Sequence, residues 1–489
     1  MNMTVGRRTF LRAAGLAAVG AAAAACSATQ APNVPDTRPL SSSPVPPGSG
    51  PSTPPAGPPD WNALRGKLSG GLVQSGDGGF STAKRAFNPL FDGRKPIAVA
   101  NCAKPEDVQA CVTLAGGRVP MAARSGGHSY AGYSVPDGGL VIDVGGMSGV
   151  DVQGEQVVIG AGARLGDVYA ELAKAGRCLP AGSCPTVGIA GLTLGGGIGV
   201  LARKYGLTCD RLQSAQIVTP DGKLRTVSAD ADPDLFWALR GGGGGNFGVV
   251  TSFTFRTVEA PTLTVFSLRF AAGSAGDVVD AWQRWLPTTP PELWSNCVIS
   301  GGASGASRIG GAFVGSSGQL TSVLSGLSVS PTKRTMKTLG YGAAMNYFSG
   351  SSDRQTFVAS SRIITDPVDG GTVADLASGH VGMDLLIDGL GGAVSDIAPA
   401  DTAFWHRKAL ASIQVYAPAT VSNQDSVRKS VSTVVAGLAD AGAHGGYVNY
   451  LDPELPDWKT AYYGDNAARL DQVAKKYDPN GFFKFAQSA

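Results

Sequence analysis

Histidine is scarce in this chain, with four copies in 489 residues. Three of them, His380, His406 and His444, lie at no metal-ligand spacing from one another or from carboxylates, so no metal is expected. Charge of one sign is also missing. Lys+Arg 40 against Asp+Glu 37 leave +3, and no long basic run exists to track phosphates, which argues against a nucleic-acid partner. There is no Gly-x-x-x-x-Gly-Lys-Ser/Thr phosphate loop. "GIGVLA", starting at Gly197, fits the Gly-x-Gly-x-x-Ala variant of the dinucleotide fingerprint, but its acidic residue, Asp221, sits at a hairpin tip instead of a strand end. That excludes a nicotinamide site. Cysteines number seven. Cys102 and Cys111 have the option of pairing in an oxidising compartment, yet Cys111 falls on an apolar helical face and reads as core; Cys178, Cys209 and Cys297 have no evident partners.

Glycine, in contrast, is abundant. The 69 glycines are about twice the usual share of roughly 7% and cluster in "TLGGGIG" and "RGGGGGNFG". Backbone there must come close to something. The N-terminal "GRRTFLRAAGLAAVGAAAAAC" has twin arginines, Arg7 and Arg8, then an apolar stretch well short of the roughly 20 residues that span a bilayer. It reads as a twin-arginine export signal over residues 1–26, a route that carries folded proteins and suits a chain whose cofactor is inserted before export. Residues 27–60, rich in Pro, Ser and Gly, read as a disordered tether. Cys26 at the junction suggests a lipid anchor; cleavage at an Ala-x-Ala site with Cys26 incidental is the other reading. The expected location is the cell envelope, lipid-anchored or secreted.

From Trp61 onward the pattern is globular and α+β. A strand in "KPIAVAN", a helix started by Pro105, strands in "VPMAARS" and "GLVIDV", a helix in "DVYAELAKAG" and a hairpin around Asp221-Gly222 follow one another to about residue 257. Residues 258–445 then read as a second domain. Its strands are "LTVFSLRF", "NCVISGG", "RIGGAFVG", "DLLIDGLGG" and "SIQVYAP". Residues 446–489 include a helix in "AARLDQVAKKY" and return to the first domain.

Three glycine segments, "RSGGHSYAG", "PAGSCPTVGIAGLTLGGGIG" and "LRGGGGGNFGVV", are able to converge on a long phosphate-bearing cofactor through backbone N–H groups. With the terminal "YVNYLDP" segment, in this order, they resemble the FAD-linked oxidases of the vanillyl-alcohol oxidase superfamily, in the branch of berberine bridge enzyme and glucooligosaccharide oxidase. The resemblance implies a two-part FAD-binding domain over 61–257 and a substrate domain with an antiparallel sheet covered by helices over 258–445. It also implies FAD bonded twice, through a ring nitrogen of His128 to the 8α carbon and through Cys184 to C6. Arg124, Ser125, Gly126, Gly127 and Ser129 would surround the first anchor. Val187, Gly188, Gly191, Leu194, Gly195, Gly197 and Gly199 would surround the second. Asn246, Gly248, Val250 and Asn449 complete the expected cofactor contacts.

For chemistry, the resemblance puts Tyr450 at the position of the base, with Tyr447, Tyr130 and Gln414 beside it. Strand alternation through "YVNY" would send Tyr447 and Asn449 to one face and Tyr450 to the other, so both tyrosines serve only if the strand bends or ends there. Valine at 187 is associated in the family with oxygen access and leucine with its obstruction. The expected function is therefore an exported oxidase, monomeric, that takes hydride from the CH–OH of a sugar or secondary-metabolite alcohol and gives hydrogen peroxide. Alternatives are a dehydrogenase serving a quinone or protein acceptor, a berberine-type cyclase, and a flavin-binding lipoprotein without turnover.

Overall fold

The computed structural model describes residues 57–302 and 305–488; the expected export signal, Cys26 and most of the tether lie outside the described residues. The first half of the fold carries two sheets. Strands β1 (Leu72–Gln74), β2 (Ala98–Asn101), β3 (Met121–Arg124) and β4 (Leu140–Asp143) form a sheet in the order β1-β2-β4-β3, in which β2 and β3 both run parallel to β4. The crossover from β2 to β3 is the helix Pro105–Ala115, which has Pro at its first turn together with Glu106 and Asp107. Both acids favour the positive end of the helix dipole. Asp107 also accepts from the backbone N–H of Ala103 at 2.8 Å and of Ser69 at 3.0 Å. Cys111 is fully buried on this helix, and Cys102 is fully buried at the end of β2; both are free thiols, as the core reading of Cys111 expected.

The second sheet contains β5 (Val150–Gln153), β6 (Gln156–Gly160), β8 (Leu212–Val218), β9 (Leu224–Ser228) and β10 (Val249–Arg256), in the order β5-β6-β10-β8-β9. The hairpin expected around Asp221-Gly222 is the β8–β9 connection. A short pair, β7 (Arg177–Cys178) with β11 (Val258–Glu259), closes this half.

The second half is built on one antiparallel sheet of seven strands. These are β12 (Thr262–Arg269), β13 (Leu293–Ser300), β14 (Ser307–Val314), β15 (Lys333–Gly340), β16 (Phe357–Ile364), β17 (Asp384–Gly389) and β18 (Ala411–Pro418), ordered β15-β12-β14-β13-β17-β18-β16. Helices Ala275–Trp285, Gly370–Ser378 and Gln424–Asp440 cover one face. Strand alternation divides the side chains between the two faces. Leu385, Ile387, Ile413 and Val415 are completely buried under the helices, whereas Leu386, Asp388 and Gln414 point to the other face and into a cavity. The buried Val279 and Trp282 of the first covering helix show what holds the layers together, at about 1.5–3 kcal/mol for each large apolar side chain.

The C-terminal segment runs back across the first half. Tyr463 donates to the Gly242 carbonyl at 3.0 Å, Tyr477 to Asp232 at 2.9 Å, and Arg469 pairs with Asp234 at 3.2 Å. "YVNY" is not a strand. Residues Val448–Tyr450 form a single 3₁₀ turn, with the Tyr450 N–H donating to the Tyr447 carbonyl at 2.7 Å. The extended reading failed because a short apolar-aromatic run gives the same pattern in a turn as in a strand.

A candidate flavin site between the glycine turns and the sheet

A cavity of about 350 Å3 separates the glycine segments from the open face of the seven-stranded sheet. On one side lies the turn after β3. Gly127 has φ +70°, a conformation that suits glycine. A Cβ on Gly126 would overlap the backbone nitrogen of Gly188, and one on Gly188 would overlap Gly126 and the Ser125 hydroxyl. The two turns are thus locked back to back because neither carries a side chain there. Among the described residues no acceptor takes the backbone N–H of Ser125, Gly126, Gly127, Ser129, Gly244 or Gly245. Unsatisfied N–H groups on successive turn residues form a cradle for an anion such as a diphosphate. Beyond Gly191 and Gly245, which both line the cavity, there is open space where a Cβ would stand. These observations fit a long, phosphate-bearing cofactor.

His128 and Cys184 both line the cavity. The imidazole stacks on Phe87 at 3.8 Å between centroids and 18° between planes, and Phe87 is itself held by its N–H to the Gly127 carbonyl at 2.9 Å. Nε2 of His128 lies 2.9 Å from the Thr186 hydroxyl, and the Cys184 sulfur lies 3.5 Å from the same oxygen.

Three sequence expectations need correction. The Arg124 guanidinium is consumed by Asp143, at 2.7 Å from Nε, and by the Ala83 and Arg85 carbonyls, and it does not reach the cavity. Its task is to hold the turn. Gly195 and Gly197 are not cavity-lining either. A Cβ on Gly195 would overlap the Asn449 amide, and one on Gly197 would overlap the Thr208 side chain, so these glycines serve packing behind the wall. The remaining expected cofactor contacts, Ser125 to Ser129, Cys184, Val187, Gly188, Gly191, Leu194, Gly199, Asn246, Gly248, Val250 and Asn449, all line the cavity.

The same cavity brings together side chains from distant segments. Tyr130 and Tyr450 stack at 5.2 Å and 12°, and Gln414 on β18 donates its amide to the Tyr130 hydroxyl at 2.8 Å. Tyr447 meets Tyr450 edge-on at 4.9 Å. Its phenol oxygen, however, is taken up by N–H groups of Gly197 and Ile198, each at 3.1 Å, and of Asn449 at 2.9 Å. Burial pushes Tyr447 up to about 12. That environment suits a brace between the glycine run and the 3₁₀ turn, and it opposes a role as proton acceptor. Tyr450, at the turn's end, lines the cavity.

The sequence reading did not single out Trp294 and Asn296 on β13, Asp388 on β17, or Thr186. The first three line the cavity, and Asn296 and Asp388 are cross-strand neighbours. The Trp294 indole N–H is buried with no hydrogen-bond acceptor among the described residues. A signal existed for Asp388: a carboxylate inside the apolar strand "DLLIDG" is costly unless something polar faces it. His406 lies outside the cavity, where burial holds it down at about 4 and Nε2 meets the Ala461 carbonyl at 3.0 Å.

Residues 96–228 match the family model "FAD binding domain", and residues 446–489 match "Berberine and berberine like". The chain is 35% identical over 443 residues to the FAD-linked oxidoreductase YgaK of Bacillus subtilis, covering 86% of this chain and 97% of that protein. It is 33% identical over 435 residues to chitooligosaccharide oxidase of Gibberella zeae, covering 81% and 87%. Among solved structures, BBE-like 1 of Physcomitrella patens superposes with a TM-score of 0.81 at 29% identity, covering 87% of this chain and 98% of that one.

The chain belongs to the berberine bridge enzyme-like FAD-linked oxidoreductases.

Its two matched blocks divide the site. The FAD-binding block supplies His128, Cys184 and the paired turns, and the berberine-like block supplies Tyr447, Asn449 and Tyr450. Asn296, Asp388 and Gln414 come from the sheet between them. A berberine bridge enzyme-like protein thus joins two matched modules across a third set of side chains.

Proposed function

We propose that this protein oxidises a hydroxyl-bearing carbon of a carbohydrate or related small alcohol, with FAD bonded to His128 and Cys184 and dioxygen as the final acceptor. The observation that carries the reading is the placement of Tyr450, Tyr130 and Gln414 in one cavity with both anchor residues. The FAD supplies a hydride acceptor. The protein's share is to hold the substrate hydroxyl against Tyr450, which takes its proton while the same carbon gives up hydride. A phenol with its ordinary value near 10 is a poor base at neutral pH, so its proton must be drawn off by hydrogen bonds within the cavity. Tyr130 and Gln414 orient the stacked ring. Trp294, Asn296 and Asp388 offer an aromatic face, an amide and a carboxylate, the groups suited to a polyhydroxylated ligand.

The kinship with a chitooligosaccharide oxidase supports a sugar substrate. Val187 beside Cys184 supports oxygen as acceptor, with a quinone or protein acceptor as the competing reading. Export by the twin-arginine route, with or without lipid on Cys26, belongs to the same proposal. Anaerobic mixing with mono- and oligosaccharides and simple alcohols tests it. Bleaching of the flavin by a sugar or alcohol, followed by hydrogen peroxide when oxygen is admitted, is the expected result; bleaching only by amines would overturn the assignment.

A further inference from the structure

Thr186 sits two residues after Cys184 in the turn that locks against the His128 turn, and its hydroxyl is within hydrogen-bond reach of both anchors, 2.9 Å from His128 Nε2 and 3.5 Å from the Cys184 sulfur. A threonine hydroxyl has one hydrogen to give and lone pairs to accept with. The two bonds are therefore linked in direction. When Thr186 accepts from Nε2–H, its own hydrogen is free for the sulfur. In that arrangement the imidazole carries its proton on Nε2 and Nδ1 is the nitrogen without a hydrogen, while the sulfur accepts a hydrogen bond that favours its thiolate form. The Phe87 stack keeps the ring from turning away.

We infer that Thr186 is a positioning residue that prepares both flavin anchors through a single hydroxyl. This rests on the double attachment proposed above. Each attachment makes one N–C or S–C bond and breaks one flavin C–H and one side-chain N–H or S–H. The electron pair and two hydrogens so released reduce the flavin, and dioxygen removes them as hydrogen peroxide. For His128 the proton to be shed is the one on Nε2, which faces Thr186. The hydroxyl is placed to receive it and to pass its own proton on.

The test uses holoprotein purified after expression with FAD supplied, with acid precipitation and peptide mass mapping as readouts. Wild type should hold its FAD after acid, on peptides containing both His128 and Cys184. Thr186→Val, which keeps the shape and loses the hydroxyl, should still bind FAD but release much of it in acid, and acid-stable absorbance should develop about ten- to a hundredfold more slowly. Thr186→Ser should restore attachment, and Thr186→Ala serves as a second hydroxyl-free variant if valine impairs folding. Wild-type rates of both attachments in a hydroxyl-free variant, or a serine variant as defective as valine, would overturn the proposal while leaving double attachment intact. Wild type that releases its FAD, or carries it on one residue only, would overturn double attachment, and this inference with it.

Discussion

Along the turns at 125–129 and 243–248 the cavity wall is rich in glycine and in the N–H groups of Ser125, Gly126, Gly127, Ser129, Gly244 and Gly245. Along β13, β17 and β18 it is side chains, alternating with a buried apolar set that faces the helices. On the first wall a Cβ at Gly126 or Gly248 would meet backbone, and Gly127, Gly243, Gly245 and Gly248 hold positive φ, which disfavours any other residue. The second is a pleated surface whose inward side chains alternate with the apolar set packed under the helices. On the proposed function, the turn wall is assigned to the cofactor and the sheet wall to the substrate.

The contrast is sharpened most by Tyr450→Phe. The variant should keep the fold and the flavin spectrum while anaerobic flavin reduction by substrate slows about 10² to 10⁴-fold, the usual loss on removing a general base. Unchanged reduction would move the base elsewhere on the sheet wall. Gly188→Ala attacks the turn wall instead. Its Cβ would overlap Gly126 and Ser125, so purified protein should carry little flavin, read from its absorbance at equal protein concentration. Full loading would show that the locked turns are more adaptable than their packing implies.

Val187→Leu lies at the seam. One more methylene beside the cofactor should slow reoxidation by oxygen in stopped-flow mixing and leave reduction nearly unchanged. Slow reoxidation already in the wild type would favour a dehydrogenase.

The smallest effect concerns His406, which is packed under the segment that delivers Tyr450; a Cβ on Gly445 would stand 2.8 Å from its ring. Buried and held at about 4, it is neutral in the fold, whereas the unfolded chain protonates it near 6.5. Its contribution is complete above pH 6.5 and is lost as pH falls through 4, on the order of 3 kcal/mol in all. His406→Gln should flatten part of the fall in melting temperature between pH 7 and pH 4; an unaltered slope would place the acid sensitivity elsewhere.

How much was legible in the sequence follows the same division. The paired turns that carry His128 and Cys184 were readable because backbone approach demands glycine at fixed intervals, whereas the anchor roles of those two residues came through the family resemblance and are a proposal. Gly195 and Gly197 looked like the same signal but answer to Asn449 and Thr208, since glycine records close packing of any kind. Arg124 was misread for a related reason: a buried arginine beside a cofactor turn is as useful holding the turn as touching the ligand. Gln414 could be named only through the family resemblance. Trp294 and Asn296 were passed over because strand residues that converge from distant segments leave no local pattern to read, whereas the carboxylate of Asp388 inside an apolar strand was a signal that was not taken up. The 3₁₀ turn at Val448–Tyr450 was hidden by its strand-like composition.

Acid precipitation of the wild-type protein tests the central claim, that this cavity holds FAD bonded to both turns. A yellow precipitate whose peptides carry the flavin mass at His128 and Cys184, and at His128 alone in Cys184→Ala, is the predicted result. A colourless precipitate with all the FAD in the supernatant would contradict it.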